Sequence, residues 1–172
     1  MDSATVPSSS GGSPFEQFLS KENISLIVSN SSLLALTLPA LAGTGLGLKE
    51  CAVGISAAAE IKSEFSSVMA MLCFLTTPMI YMILLFFMVK NIKGELFSDA
   101  LMKFTSCFIT GIGSYFTAYT IGCMAKYVLV TKVKEKKFTG QFYLGFVFVE
   151  FVGLFALIIS LMLRSSITTE NK

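Results

Sequence analysis

The sequence predicts an all-α membrane protein in which four transmembrane helices form two duplicated hairpins. Of its 172 residues, 53% are hydrophobic and 14% are charged, which leaves too few polar side chains to cover a soluble globule. Four apolar stretches have the length needed to cross a bilayer, and charged residues flank each of them. The second stretch also repeats in the fourth at an offset of 74 residues, a register that places Thr76 on Glu150.

The predicted helices span about residues 24–60, 65–89, 97–130 and 138–163. Together they form a transmembrane domain of residues 23–165, which is followed by a short C-terminal tail of residues 166–172. Residues 1–22 are polar and contain Ser, Gly and Pro, so they cannot bury enough apolar surface to become ordered. We expect this segment to be a flexible tail.

The distribution of lysines predicts the topology of the helices. Five lysines lie in or next to the loop between the third and fourth helices: Lys126, Lys132, Lys134, Lys136 and Lys137. The positive-inside rule places that loop in the cytosol, together with the loop between the first two helices. Both termini and the loop between the second and third helices then face the lumen or the exterior.

The residue inventory excludes several functions. The chain has no histidine, which removes imidazole metal sites and a histidine proton relay. Its four cysteines show no CxxC spacing and are typical of small buried hydrophobic residues. We therefore expect no metal and no cofactor. Because the net charge is only +2 and no basic groove with aromatic residues is present, we expect no nucleic-acid partner.

Glu150 is the main candidate functional residue. It is the one charged residue in the apolar run from Phe138 to Leu163, near the middle of a predicted span. A carboxyl within a membrane is costly, and by default it indicates ion or proton movement. Apolar surroundings favour its protonated form unless a cation or water reaches it. We predict a proton carrier, with a static buried carboxyl as the alternative.

Several hydroxyl groups are candidates to support Glu150. Thr76, Thr77 and Tyr81 lie at a comparable depth on the second helix, and Tyr143 shares a helical stripe with Glu150. Their hydroxyls could hydrogen-bond the protonated carboxyl. The alternative for the threonines is a bond to their own backbone, which is common in transmembrane helices.

The first and third predicted helices are rich in small residues, among them Gly43, Gly45, Gly47, Gly54, Gly111, Gly113 and Gly122. Small residues let helix backbones approach closely in a membrane. We therefore expect these two helices to pack inside, and the Leu-, Phe- and Met-rich second and fourth helices to face lipid. Ordinary packing in a monomeric bundle is the alternative. Two alignments of the first helix on the third remain open: one superposes Gly47 on Gly122, the other Gly43 on Gly111.

Two segments resemble a known family. Residues 146–159, with Glu150 followed by Gly153, Leu154 and Phe155, resemble the last helix of the c-type proteolipid of vacuolar-type proton-translocating ATPases. Residues 47–56 are similar to the Gly-rich first helix of that family, which ends in Val-Gly-Ile. The resemblance extends over about residues 30–165. A carboxyl in the fourth helix favours the c type over the c″ type, and a c′ paralogue is an alternative.

The resemblance implies a ring of subunits, with the first and third helices inside, that is turned by ATP hydrolysis in a separate soluble sector. Glu150 would take up a proton, cross lipid while neutral and release it near an arginine of the stator, the a-type protein of the membrane sector. The other implied partners are c-type proteolipids, the d-type protein and central stalk at the cytosolic rim, and membrane lipids. The implied location is a vacuole or another acidic endomembrane. The chain would not be an enzyme by itself but a non-catalytic component of a pump.

The resemblance favours H+ over Na+ as the transported ion. Sodium-pumping relatives add a Thr and a Gln on the second helix and a Gln on the third; here Thr77 fits the first, whereas Pro78 and Ile121 occupy the other two positions. Two other functions are alternatives. A tetraspan structural protein predicts a large lumenal loop with paired cysteines, which the sequence lacks. A monomeric proton-coupled transporter predicts polar residues on several helices, whereas the predicted midplane is apolar apart from Glu150 and the second-helix hydroxyls.

Overall fold

The computed structural model describes residues 21–61, 65–90, 97–135 and 140–170. These residues form four α-helices: α1 Lys21–Ala59, α2 Phe65–Lys90, α3 Phe97–Lys134 and α4 Gly140–Glu170. The all-α prediction is therefore confirmed for this part of the chain. Residues 1–20 of the predicted N-terminal tail, residues 62–64, 91–96 and 136–139 and residues 171–172 lie outside the described residues.

The helices extend beyond the predicted apolar segments. α1 begins at Lys21, α3 continues to Lys134 and α4 continues to Glu170. The predicted ends were set where hydropathy falls, but a helix does not need apolar side chains to continue its backbone hydrogen bonds. Lys132 and Lys134 in the last turn of α3 also suit the negative end of the helix dipole.

Three of the described helices are long and apolar enough to cross a membrane, with candidate spans Leu26–Ala59, Ser66–Lys90 and Tyr143–Ser166. α3 is not among them, because it carries six Ser or Thr residues between positions 105 and 120 that lower its hydropathy. It nevertheless makes the most extensive contacts of the four helices, chiefly with α1 and then with α4 and α2. Large apolar side chains cover the outside of the bundle, as expected for a lipid-facing surface.

α1 and α3 form the tightest helix pair. A Cβ atom built on Gly122 would overlap the backbone of Gly47, and one built on Gly54 would lie 2.5 Å from the Cα atom of Lys126. The two contacts occur in the same order along both helices, so α1 and α3 run parallel. The contact of Gly47 with Gly122 matches the first of the two alignments left open by the sequence. Close approach of backbones at glycine is the packing expected for small residues in a membrane.

Not every glycine in the predicted inner set lies between α1 and α3. A Cβ atom on Gly43 would lie 2.5 Å from the Cα of Tyr115, and one on Gly111 would meet the backbones of Ala35 and Leu36. Both glycines therefore lie in the contact surface between α1 and α3, which we call the seam. A Cβ atom on Gly113 would instead meet Ala156 of α4. One on Gly45 would meet no described atom within 4 Å. The sequence did not distinguish these glycines, because hydropathy does not give the rotation of each helix about its axis.

Lysines of α3 also connect it to α1. Lys126 Nζ lies 3.0 Å from Glu50 Oε2, with the two side chains 35% and 27% exposed. Towards the opposite end, Lys103 Nζ donates to Ser29 Oγ at 2.9 Å. A partly exposed ion pair contributes only about 0–1 kcal/mol. The glycine contacts therefore dominate this seam.

Buried hydroxyl groups hold α4 against α3. Ser160 Oγ donates to the carbonyl oxygen of Ser106 at 2.7 Å, and Ser106 Oγ donates to the carbonyl oxygen of Ser160 at 2.8 Å. Thr110 Oγ1 donates to Ser160 Oγ at 2.6 Å. These hydrogen bonds join the N-terminal part of α3 to the C-terminal part of α4, so the two helices are antiparallel.

We expect Ser160→Ala to destabilise the bundle, because it removes two of these side-chain hydrogen bonds and leaves Thr110 without that acceptor. Interhelical hydrogen bonds in membrane proteins contribute about 0.6 kcal/mol on average and up to about 1.7 kcal/mol. Unfolding in mixed micelles by sodium dodecyl sulfate measures the difference. The matched control is Ser56→Ala, since Ser56 is exposed and its hydroxyl donates to the carbonyl of Val53. Equal stability of the two variants would contradict the expectation.

Candidate proton-carrier site

Glu150 lies on the face of α4 that contacts the rest of the bundle. It falls on one helical stripe with Phe146, Gly153 and Leu157, all of which are buried. The Glu150 side chain is only partly exposed, and its Oε1 atom is buried without a hydrogen-bond partner among the described residues. The carboxyl therefore lies at the edge of the bundle, with one oxygen directed inwards that no described protein group holds.

Gly153, one turn after Glu150, is the point at which α2, α3 and α4 meet. A Cβ atom on Gly153 would lie 2.9 Å from Thr117 Oγ1 of α3 and 3.3 Å from Tyr81 Cε2 of α2. The structure therefore brings one predicted support residue, Tyr81, to Gly153, one helical turn from Glu150. It also adds Thr117, which the sequence analysis did not select.

Ser114 and Thr117 are polar residues near the site that the sequence analysis missed. Both side chains are 1% exposed, and their hydroxyl oxygens have no hydrogen-bond partner in the part of the chain that the structure describes. In contrast, Thr105 and Thr131 on the same helix donate to the carbonyls of Leu101 and Tyr127 at 2.9 and 3.0 Å. The spacing of Thr110, Ser114 and Thr117 on one helical face is the sequence signal that could have identified them.

The threonines of α2 bond to their own backbone. Thr76 Oγ1 and Thr77 Oγ1 both donate to the carbonyl oxygen of Cys73, at 2.9 and 3.3 Å. This is the alternative that the sequence analysis left open for them. The structure shows no hydrogen bond from either hydroxyl to Glu150 among the described residues, so their support of the carboxyl stays a prediction.

Tyr143, two helical turns before Glu150 on α4, lies beside a lysine of α3. Its hydroxyl accepts a hydrogen bond from Lys132 Nζ at 3.4 Å, and the same Nζ donates to Ser67 Oγ at 2.7 Å. Tyr143 is about 10.5 Å from Glu150 along the axis of α4, at about 1.5 Å per residue. The rings of Phe74 and Phe146 stack 5.6 Å apart between these two levels. The structure therefore does not bring Tyr143 together with the carboxyl.

A groove of about 230 Å³ opens beside the site, between α3 and α4. Its lining is mostly apolar and consists of Phe116, Thr117, Thr120, Phe148, Val149 and Val152. Such a groove suits a lipid chain or an apolar side chain of a neighbouring protein. Within the described residues, no three His, Cys, Asp or Glu side chains come close enough together to hold a metal ion. The chemistry that this arrangement offers is reversible protonation of one carboxyl.

The fold and the site together define a class: a small helical integral membrane protein whose fourth described helix carries a partly buried carboxyl. The comparisons make this more specific, because residues 104–163 match the family model of the C subunit of ATP synthase. The matched range includes most of α3, most of α4 and Glu150. This family is shared by the F-, V- and A-type ATPases. No curated protein matches the chain.

Proposed function

We propose that this chain is the proton-carrying rotor component of the membrane sector of a vacuolar-type ATPase, with Glu150 as the proton carrier. The observation that carries the proposal is the position of Glu150 within the segment that matches the ATP synthase C-type family. Its carboxyl is partly exposed at the edge of the bundle and has a buried, unpartnered oxygen among the described residues. A carrier needs this combination, since a fully buried carboxyl could not be reached and a water-exposed one would not stay neutral.

The proposed cycle depends on the cost of a charge in lipid. A carboxylate at the centre of a membrane helix costs roughly 2.5–3.5 kcal/mol on insertion scales, whereas the protonated form avoids that cost. Glu150 would therefore face lipid while protonated and would lose its proton next to a cation. Two of the described lysines of α3, Lys103 and Lys126, lie on either side of this level of the bundle and bond to Ser29 and Glu50. In the proposal the cation is the arginine of the a-type stator protein.

The packing of α1 on α3 supports the proposed ring. These helices meet through Gly47 and Gly122, while α2 and α4 carry many exposed apolar side chains. In the proposed assembly, α1 and α3 form the inner wall and α2 and α4 the outer wall. The proposed partners are further c-type proteolipids, the d-type protein and the central stalk. The proposed location is an acidic endomembrane such as the vacuole, with both termini in the lumen.

One observation favours a second candidate, a monomeric proton-coupled transporter. Hydroxyl-bearing residues from two other helices, Tyr81 and Thr117, converge near Glu150. A substrate site, however, is generally a cavity of about 300–1,000 Å³ with several polar groups. The groove next to Glu150 has about 230 Å³ and a largely apolar lining. The rotor component therefore remains the better-supported function.

Labelling with a hydrophobic carbodiimide tests whether Glu150 is the proton-carrying carboxyl. This reagent reacts with a protonated carboxyl in an apolar environment, so we expect it to modify Glu150 in the membrane-embedded protein. Peptide mass spectrometry should locate the adduct in α4 and find it absent in Glu150→Gln. Glu50→Gln is the matched control, because Glu50 is paired with Lys126 and should not be the reactive group. Unchanged labelling of Glu150→Gln would contradict the assignment.

A further inference from the structure

Pro78 interrupts the backbone hydrogen bonds of α2 on the buried face of that helix. It lies inside α2, and its side chain is buried in the bundle. Proline has no backbone N–H, so the carbonyl oxygen four residues earlier, that of Phe74, loses its donor in the helix. Residues four apart lie on the same face of a helix. The carbonyl of Phe74 therefore ends next to Pro78, on the side of α2 that faces the other helices.

The neighbouring threonines do not replace the missing hydrogen bond. In transmembrane helices, Ser and Thr side chains often satisfy the backbone groups that a proline leaves free. Here the hydroxyls of Thr76 and Thr77 both donate to the carbonyl of Cys73, at 2.9 and 3.3 Å. Among the described residues, no side chain donates to the carbonyl of Phe74. A backbone oxygen without a donor is costly in a membrane, so this carbonyl is available to a donor from another helix.

Two contacts fix how α2 and α4 lie along one another. The rings of Phe74 and Phe146 stack with their centroids 5.6 Å apart. Two turns further along both helices, a Cβ atom on Gly153 would lie 3.3 Å from Tyr81 Cε2. The contacts occur in the same order on both helices, so α2 and α4 run parallel. Both contacts also join residues 72 positions apart, and residues at this offset therefore lie at the same level.

This offset places Glu150 level with Pro78. Glu150 shares a helical face with Phe146, one turn earlier, and that face packs against α2. A helical side chain tilts towards the N-terminus of its helix, whereas a backbone carbonyl points towards the C-terminus. The carboxyl of Glu150 thus extends back towards the level of Phe146, and the carbonyl of Phe74 extends forward from that level. The two groups converge in the turn between Phe74 and Pro78.

Both groups are oxygens that lack a donor. Glu150 Oε1 is buried and has no hydrogen-bond partner in the described part of the chain. A carboxylate only accepts hydrogen bonds, as a carbonyl does, whereas a protonated carboxyl also donates one. One proton on Glu150 therefore satisfies both the carboxyl and the carbonyl of Phe74. A hydrogen bond that exists in only one protonation state favours that state.

We propose that the carbonyl of Phe74, freed by Pro78, accepts a hydrogen bond from the protonated Glu150 carboxyl and keeps the proton carrier neutral. When the proton leaves, the bond is lost, and the carboxylate faces an oxygen that repels it. The carboxylate then turns away from α2 towards the exposed side of the bundle, where a cation can reach it. Phe74 is a positioning residue that acts through its backbone. The inference rests on the proposed function, because it names what keeps that same carboxyl protonated next to lipid.

The infrared carbonyl band of the protonated Glu150 carboxyl tests this hydrogen bond. Full-length protein is measured in lipid nanodiscs, and the band is assigned by its absence in Glu150→Gln. A hydrogen bond lowers the wavenumber of the C=O stretch of a carboxylic acid. Pro78→Ala returns an N–H to α2 that binds the carbonyl of Phe74, so we expect the band to move to higher wavenumber. The matched control is Pro39→Ala, the same substitution inside α1, which has little contact with α4 and should leave the band in place.

Two further variants keep the test decisive if Pro78→Ala folds poorly. Pro78→Val also restores the N–H but keeps a side chain of similar size, so it should shift the band equally. Thr77→Val removes a hydroxyl and leaves the carbonyl of Phe74 free, so it should not shift the band. An unmoved band in both Pro78 variants would overturn the proposal, as would an equal shift in Thr77→Val or Pro39→Ala.

The protonation state itself is also tested. The proposal would be overturned by the absence of a Glu150 band, which would show an ionised carboxyl. Loss of the band when sodium replaces potassium at constant pH would overturn it too, because the two oxygens would then hold a cation.

The measurement separates this hydrogen bond from the proposed function, because it needs no ATP hydrolysis. If Glu150→Gln still supported ATP-driven transport, the carrier function would fail whatever the band positions were. If Glu150→Gln abolished transport while both Pro78 variants left the band in place, the hydrogen bond alone would fail.

Discussion

Replacement of Glu150 by Gln is expected to abolish ATP-driven proton transport while the protein still folds and assembles. Gln has nearly the same shape as Glu but cannot release a proton. The inward-facing Oε1 has no hydrogen-bond partner among the described residues, so the substitution removes no described hydrogen bond from that atom. We expect transport to fall by about 100-fold or more, since proton transfer at this position is the function of the residue. ATP-dependent acidification of membrane vesicles, followed with a pH-sensitive dye, measures the effect.

The control for this experiment is Glu50→Gln, which makes the same chemical change in α1. Glu50 pairs with Lys126 at 3.0 Å, and both side chains are partly exposed. Loss of such a pair costs only about 0–1 kcal/mol, so most of the transport should remain. An assembled Glu150→Gln variant that acidifies vesicles as well as Glu50→Gln would contradict the carrier role.

The second large effect is expected at the seam between α1 and α3. In Gly122→Ala the added Cβ atom would overlap the backbone of Gly47, which cannot rotate away as a side chain could. The helices would have to separate, and overpacking of this kind costs about 1–3 kcal/mol, occasionally more. We expect this variant to lie at or beyond the upper end of that range. Unfolding of the detergent-solubilised chain, together with the yield of folded protein, measures the loss.

Gly45→Ala is the matched control for Gly122→Ala. It is the same substitution, but a Cβ atom on Gly45 would meet no described atom within 4 Å. Its effect on stability should stay within about 0.5 kcal/mol, as is usual for surface positions. Similar losses in both variants would show that the contact of Gly122 with Gly47 does not determine the stability of this seam, since Ala has a higher helix propensity than Gly.

Hydropathy predicted much of the fold because long apolar segments must become helices in a bilayer, and three of the described helices are such segments. The same signal located Glu150, whose cost in lipid is independent of how the helices pack. The small residues predicted that α1 and α3 pack inside, which stays a prediction; the structure shows the close approach of the two backbones at Gly47 and Gly122. These features depend on composition and spacing along one helix, so they can be read from one sequence.

The details of the site could not be read in the same way, because they depend on the rotation of each helix. Thr76 and Thr77 are at a suitable depth, yet their hydroxyls donate to the carbonyl of Cys73. Ser114 and Thr117 were missed, because α3 was interpreted through its glycines and not through its hydroxyls. Gly113 belongs to the predicted inner-helix set, and the sequence does not show that it faces Ala156 of α4. A contact between two helices depends on the rotation of both helices about their axes, and the residue pattern along one helix does not give the rotation of the other.

In the proposed function this chain is one member of a rotor ring. Electron cryomicroscopy of the full-length protein, purified from its native membrane in mild detergent, tests for that ring. We expect a closed ring of copies in which α1 and α3 form the inner wall and Glu150 lies on the outer helix near the middle of the membrane. Particles that contain a single four-helix bundle, or a ring with α2 and α4 on the inside, would contradict it.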